Sequence, residues 1–301
     1  MTAGTMSAGQ APQTPLYARV SEPRVQIARW IVWPPVLFTI LFFVVPLVVM
    51  ACVSLWSRKH GVYGPDWSLI NYDKFFARKY LRAALVNSFE VTLLTTAISV
   101  LLAYPLAYVL AFKVSTRWQR LLLLFAVLPF WTSYVVRSYS WLLVISDHGI
   151  LNDALIGVGV LTTPIKIAYS RAATVLGFVH FFTMLLTLTI YSNLIQINPS
   201  HLKAAQDLGA SGLKVLWYVT LPLSLPGIAV GAFLTFVITI GDYITPQILG
   251  GNTEVLMPQA IILQISRTAD LPMASMMSML LMVCVLLVYF SIQRYLKMDR
   301  L

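Results

Sequence analysis

Four ionisable residues stand inside apolar runs of this chain: Glu90, Arg137, His180 and Asp242. Hydrocarbon penalises charge, so such residues either serve function or pair with one another. Trp131, Tyr134, Tyr139 and Trp141 bracket Arg137, and Tyr243 follows Asp242. Aromatic ring faces attract cations. One reading makes Glu90, Trp131, Tyr134, Asp242 and Tyr243 the lining of a path for a small cation. The other pairs Arg137 with Glu90 or Asp242 as a brace between helices, since a lone buried charge is costly. One arginine cannot neutralise both acids, and in this second reading the aromatics serve packing or the interfacial belt. His180 reads as an interhelical hydrogen-bond group. At about 1.5 Å of rise per residue, Glu90 lies about 9 Å below the outer end of a helix starting at residue 84. Asp242 lies about 25 Å from the inner end of one starting at residue 225.

A second constellation is polar and uncharged at its centre. Leu202-Lys203-Ala204-Ala205-Gln206-Asp207-Leu208-Gly209-Ala210, then Val219-Thr220-Leu221-Pro222, interrupts two long apolar stretches. Asn198-Pro199-Ser200 reads as a helix start, with Asn or Ser capping free amides and proline in the first turn. Residues 201–208 make two turns, and Gly209 supplies the left-handed residue that ends them. Ser211 is positioned to cap a second short helix over 212–219, which Leu221-Pro222 is expected to stop. The result is a helix–turn–helix elbow. Ala204 and Ala205 lack bulk, so another protein can approach them closely.

The elements that must position these residues follow from hydropathy. The chain of 301 residues is 58% hydrophobic and 11% charged, with a mean hydropathy of +0.79. Soluble domains carry about 25% charged residues, and apolar runs of about 20 residues mark membrane spans. Six runs qualify, over 30–55, 84–112, 121–145, 172–194, 225–249 and 272–292. Lipid offers backbone groups no partners, so each is expected to be a helix, giving an all-α membrane protein with six transmembrane helices. Three regions follow: a tail over 1–29, a transmembrane domain over 30–294 with the polar insert at 195–224, and a tail over 295–301. Pro46, Pro105 and Pro129 interrupt spans and either shape a cavity or merely kink packed helices. Residues 149–160 suit a short surface helix in an otherwise polar connection.

Six spans place both termini on one side. The short loop 113–120 holds Lys113, Arg117 and Arg120, which orients that side and both tails, with Arg19, Lys297 and Arg300, to the cytoplasm. The basic loop over 57–83 then faces outward. The isoelectric point near 9.7 does not signal nucleic-acid binding, because the Lys and Arg residues sit between apolar runs as topology signals do. Cys52 and Cys284 fall inside spans and read as buried thiols, not a disulfide pair. The first apolar run is too long for a signal segment and reads as an uncleaved anchor.

The alanine pair, the glycine four residues on, and the Leu-Pro together resemble the EAA loop of ATP-binding cassette (ABC) importer permeases. Asn87-Ser88-Phe89 resembles the permease start of that family. Leu128-Pro129-Phe130-Trp131-Thr132-Ser133-Tyr134 and Gly241-Asp242-Tyr243-Ile244-Thr245-Pro246 are similar to stretches of spermidine/putrescine permeases. The resemblance implies a type I importer permease with cytoplasmic coupling helices, in the bacterial inner membrane. It implies that Lys203, Ala204, Ala205, Asp207, Gly209, Leu221 and Pro222 contact an ATP-binding subunit. It implies a second, different permease subunit and a periplasmic or extracellular solute-binding protein as partners, in contact with membrane lipid and a small-molecule cargo. No cofactor belongs to the chain itself, ATP being bound by the partner. Lys203 stands where the family usually has glutamate, which reverses that charge.

Other functions fit less. A self-sufficient secondary transporter leaves the elbow unexplained. The chain has no Walker A pattern, no His-Glu-x-x-His and no Gly-x-Ser-x-Gly. Within the importer class, an opine, an organophosphonate, a ferric complex or an oxyanion is the alternative to a polyamine cargo.

Overall fold

A computed structural model describes residues 22–59, 62–251 and 254–296. The chain divides into two units, the first ending at Cys52. Helix α1 (Glu22–Thr39) continues through a π turn, Ile40–Val44, into α2 (Val45–Ser54). In that turn the Val45 amide reaches the Ile40 carbonyl, one residue further back than in an α-helix. Pro46 follows at once; it has no N–H, and its ring crowds the preceding turn, so the widened turn accommodates it. Residues Ile31–Ser54 are long and apolar enough to cross a membrane. The first helix begins at Glu22, inside the segment expected to be tail. Arg19, Lys297 and Arg300 lie outside the described residues.

The second unit opens on a small antiparallel hairpin, β1 (Ser57–Lys59) and β2 (Val62–Gly64), with Arg58 opposite Tyr63. This hairpin is the departure, among the described residues, from a wholly helical chain. Helix α3 (Ile70–Ala77) follows, and its buried Asn71 donates to the carbonyls of Ser54 and Trp56 at 3.1 and 2.8 Å. Helix α4 (Lys79–Phe112) then runs 34 residues without a break at Pro105. It starts five residues before the expected position.

The third span is not the single helix expected over 121–145. Helix α5 (Thr116–Val127) runs into a 3-10 turn, Leu128–Trp131, and α6 (Tyr134–Ile145) leaves at a bend of 97°. Pro129 removes a donor, and Thr132 and Ser133 turn extended. The Pro129 carbonyl, freed from helical bonding, accepts from Thr132 Oγ1 at 2.8 Å and from an Arg137 amino group at 3.0 Å. Helix α7 (Ile150–Gly157) lies where a short helix was expected.

Helix α8 (Arg171–Leu194) is the central element. After it come α9 (Pro199–Asp207), α10 (Gly212–Val215), a π turn Leu216–Thr220 and α11 (Leu221–Gly241). Leu221-Pro222 therefore does not stop a helix. The π turn precedes this proline as the earlier one precedes Pro46, and the helix continues from Gly212 to Gly241. The fifth span ends at Gly241, eight residues before the expected limit, and a further π turn, Pro246–Gly250, follows a two-residue break. Helices α12 (Met257–Ser266) and α13 (Leu271–Leu296) complete the unit. Five helices among the described residues can cross a membrane by length and composition, and the bent α5–α7 segment makes six if it counts as one crossing.

Helices α4, α8 and α11 pack together. Ala103 and Ala107 of α4 are fully buried against Leu186, Ile190 and Leu194 of α8. Membrane helices associate by close packing, so small residues belong at the seam. On α11 the seam is Gly227 and Gly231. A Cβ at Gly227 would fall 2.5 Å from Asn193 Cβ, and one at Gly231 would fall 2.7 Å from Leu186 Cδ2. Asn193 Cβ cannot swing aside as a side-chain tip can. Gly227→Ala is therefore expected to push α11 off α8 at a cost of about 1–3 kcal/mol, read as a lower thermal midpoint of the detergent-solubilised protein. An unchanged midpoint would show the seam to be looser than this packing.

Candidate functional site

The breaks in the third and fifth spans meet. Helix α6 packs against the Pro246–Gly250 turn. Asp242 leaves α11 in extended conformation, and its carboxylate accepts from the amides of Ile244 at 2.9 Å and Thr245 at 3.3 Å. It thus caps the turn that follows the break. Tyr134, the first residue of α6, interacts with both Asp242 and Thr245. One turn on, the Arg137 guanidinium lies over the rings of Phe181 and Tyr134, 4.2 and 4.7 Å from their centroids. A cavity of about 500 Å³ opens at the bend, with Arg137, Trp141 and His180 among its walls. Trp141 Nε1 donates to His180 Nδ1 at 3.2 Å, the interhelical bond expected of this histidine.

The structure brings Tyr134 and Asp242 together and separates them from Glu90. No ion pair joins Arg137 to either carboxylate among the described residues, which goes against the second of the two readings, Arg137 as a brace. Glu90 pairs instead with Arg171 at 2.5 Å. Arg171 also pairs with Glu254 and donates to Asn87 Oδ1 at 3.0 Å. Helix α4 begins at Lys79, five residues before the start from which the depth of Glu90 is reckoned, and the acid lies by a partly exposed charge cluster. Trp131 and Tyr243 are exposed, 77% and 42%.

The elbow has the expected first arm. Asn198 Oδ1 accepts from the Ser200 amide at 3.0 Å, and Pro199 takes the first turn. Gly209 adopts φ +81°, its amide donating to the Gln206 carbonyl at 2.8 Å and the Ala210 amide to the Ala205 carbonyl at 3.0 Å. This pattern closes a helix C-terminus. Ser211 stands in the cap position of α10, but its side chain makes no cap bond. Lys203, Ala204, Asp207, Gly209 and Pro222 are exposed, whereas Ala205 and Leu221 are half-buried. Sequence reasoning missed the apolar rim of the elbow. Leu208, Leu213 and Tyr218 are 89%, 67% and 80% exposed. Their signal was three large apolar residues beside the polar centre of the elbow, two of them at the start of the helix that continues to Gly241.

Membrane-length helices, paired helix breaks and an elbow between two of the spans describe a multi-pass membrane protein. The chain belongs to the family described as binding-protein-dependent transport system inner membrane component, which matches residues 100–298, and is thus an inner-membrane permease, a non-catalytic subunit of an ABC importer. It is 29% identical over 276 residues to the spermidine/putrescine transport system permease protein PotB of Escherichia coli K12, covering 90% of this chain and 97% of that protein. It is 30% identical over 256 residues to PotB of Haemophilus influenzae, covering 85% and 89%. In fold it is similar to a chain of a bacterial ABC transporter that imports the polysaccharide alginate, with a TM-score of 0.71 at 16% identity, covering 91% and 98%.

Proposed function

We propose that this permease carries a polyamine, spermidine or putrescine, and that its cargo passes the paired breaks. The observation that carries the reading is Asp242, an acid at the break that ends the membrane helix α11, beside Tyr134. Broken helices in transporters place backbone and side-chain polar groups at cargo sites. An ammonium group passing there meets a carboxylate and aromatic faces, with Tyr243 adjoining. Glu90, held by Arg171, serves the outer rim of the path.

Both termini face the cytoplasm in this reading, and so does the elbow over 195–224. Ala204 and Ala205 then admit an ATP-binding subunit, with Lys203 and Asp207 supplying charges and Gly209 setting the angle. A second, different permease completes the path, and an external binding protein delivers cargo. ATP is bound by the partner. Arg137 favours a second reading, an anionic cargo, because it adds a cation near Asp242.

The deciding experiment is uptake of labelled spermidine and putrescine by the reconstituted complex with its binding protein. ATP-dependent uptake of either supports the reading. Binding-protein-stimulated ATP hydrolysis without polyamine uptake keeps the importer and discards the cargo.

A further inference from the structure

A second polar surface lies in the membrane domain, away from the paired breaks. Thr189, Ser192, Asn193 and Gln196 recur at helical spacing and share one side of α8 and its C-terminal extension. With Gly227 of α11 they line a groove of about 440 Å³. Ser192 and Gln196 are exposed. Asn193 is only 6% exposed, and its Oδ1 has no hydrogen-bond partner. Gly227 is the reason there is room: a side chain there would occupy the position of the Asn193 amide.

Three physical arguments converge. Thr189 Oγ1 and Gln196 Nε2 donate to the carbonyls of Leu185 and Ser192 at 3.0 and 2.8 Å, but lipid offers nothing to the remaining acceptor oxygens or to Ser192 and Asn193, so this face meets water or a polar partner. A buried amide oxygen without a partner is costly, and a transient ligand supplies one. The groove carries no formal charge and lies at the C-terminus of α8, the negative end of that helix's dipole.

We propose that this groove is an inner cargo station, holding an ammonium group by neutral oxygens, chiefly Asn193 Oδ1 and the hydroxyls of Thr189 and Ser192. The inference rests on the polyamine reading. Cargo leaving Asp242 meets a weaker, uncharged site next to the elbow, which suits release to the cytoplasm.

The test uses the full complex in inside-out vesicles, with Cys52 and Cys284 replaced by serine and Ser192→Cys introduced. A water-soluble, membrane-impermeant methanethiosulfonate is expected to label the new thiol, and labelling to fall at least about threefold when spermidine is present. Asn193→Leu is expected to reduce spermidine uptake about tenfold or more, while Asn193→Asp, which keeps the acceptor, transports. An unlabelled Ser192→Cys in a transporting complex overturns the groove as a path, whether lipid or the second permease covers it. Labelling unaffected by spermidine overturns it as a station. Absence of polyamine uptake by the wild-type complex overturns the cargo reading, and with it the groove's ligand class. ATP-driven wild-type uptake with a silent Ser192→Cys overturns the groove alone.

Discussion

Gly209→Pro abolishes ATP-driven uptake while the chain still inserts and is recovered from the membrane. Gly209 sits at φ +81°, whereas proline is fixed near about −65°. Proline also deletes the amide that donates to the Gln206 carbonyl at 2.8 Å. The turn that closes α9 therefore cannot form, and the surface carrying Ala204 and Ala205 loses its orientation. Insertion is spared because the apolar helices are untouched. Gly209→Ala separates geometry from bulk. No atom lies within 4 Å of where its Cβ would stand, so its cost is the left-handed backbone alone, about 1–2 kcal/mol. Partial uptake is expected from alanine and none from proline. The readouts are cargo uptake and ATP hydrolysis by the same vesicles. Proline that transports as the wild type does would remove the elbow from the coupling route.

Asp242→Asn lowers polyamine uptake by about tenfold or more and leaves the amount of assembled complex unchanged. The amide keeps one oxygen to accept from Ile244 or Thr245, so the cap after the break survives in reduced form. What it loses is the charge. Hydrogen bonds to a charged group contribute about 1.5–3 kcal/mol, and each 1.4 kcal/mol is about a factor of ten. The loss should fall more on KM than on the maximal rate, because the charge acts on bound cargo. Asp242→Ala is expected to damage assembly as well, since both amide partners are lost. If asparagine reduces assembly and uptake in parallel, Asp242 is a capping residue and not a cargo ligand.

Much of this architecture was legible because its signals are local. Asn198-Pro199 and Gly209 each specify a backbone conformation within a few residues, and the first arm of the elbow has the expected form. Span positions follow from hydropathy for the same reason. Prolines were harder to read. Pro105 stays inside a continuous helix, Pro129 accompanies a 97° bend, and Pro222 follows a π turn. The same residue type gives three outcomes because its surroundings differ; after Pro129 the helix breaks, and the Pro129 carbonyl accepts from Thr132 and from Arg137, eight residues away. Charge pairing was not legible. Glu90 and Arg171 are 81 residues apart, and only the packing of α4 along α8 brings them together. Depth arithmetic matched Glu90 with Arg137 instead, because rise along a helix does not say which helices are neighbours. The seam glycines Gly227 and Gly231 show their role only when the facing helix is known.

The unbroken run from Gly212 to Gly241 has a mechanical consequence. Its 30 residues make a rod of about 45 Å at about 1.5 Å per residue. One end adjoins the elbow, and the other ends at Asp242. In the proposed complex, tilting this rod by about ten degrees at the elbow carries the Asp242 end sideways by roughly 8 Å, from its length alone. The displacement is wider than an ammonium group. A small rotation of the ATP-binding partner is thereby geared up into a stroke large enough to open or shut the break where the cargo is held, without any helix having to melt.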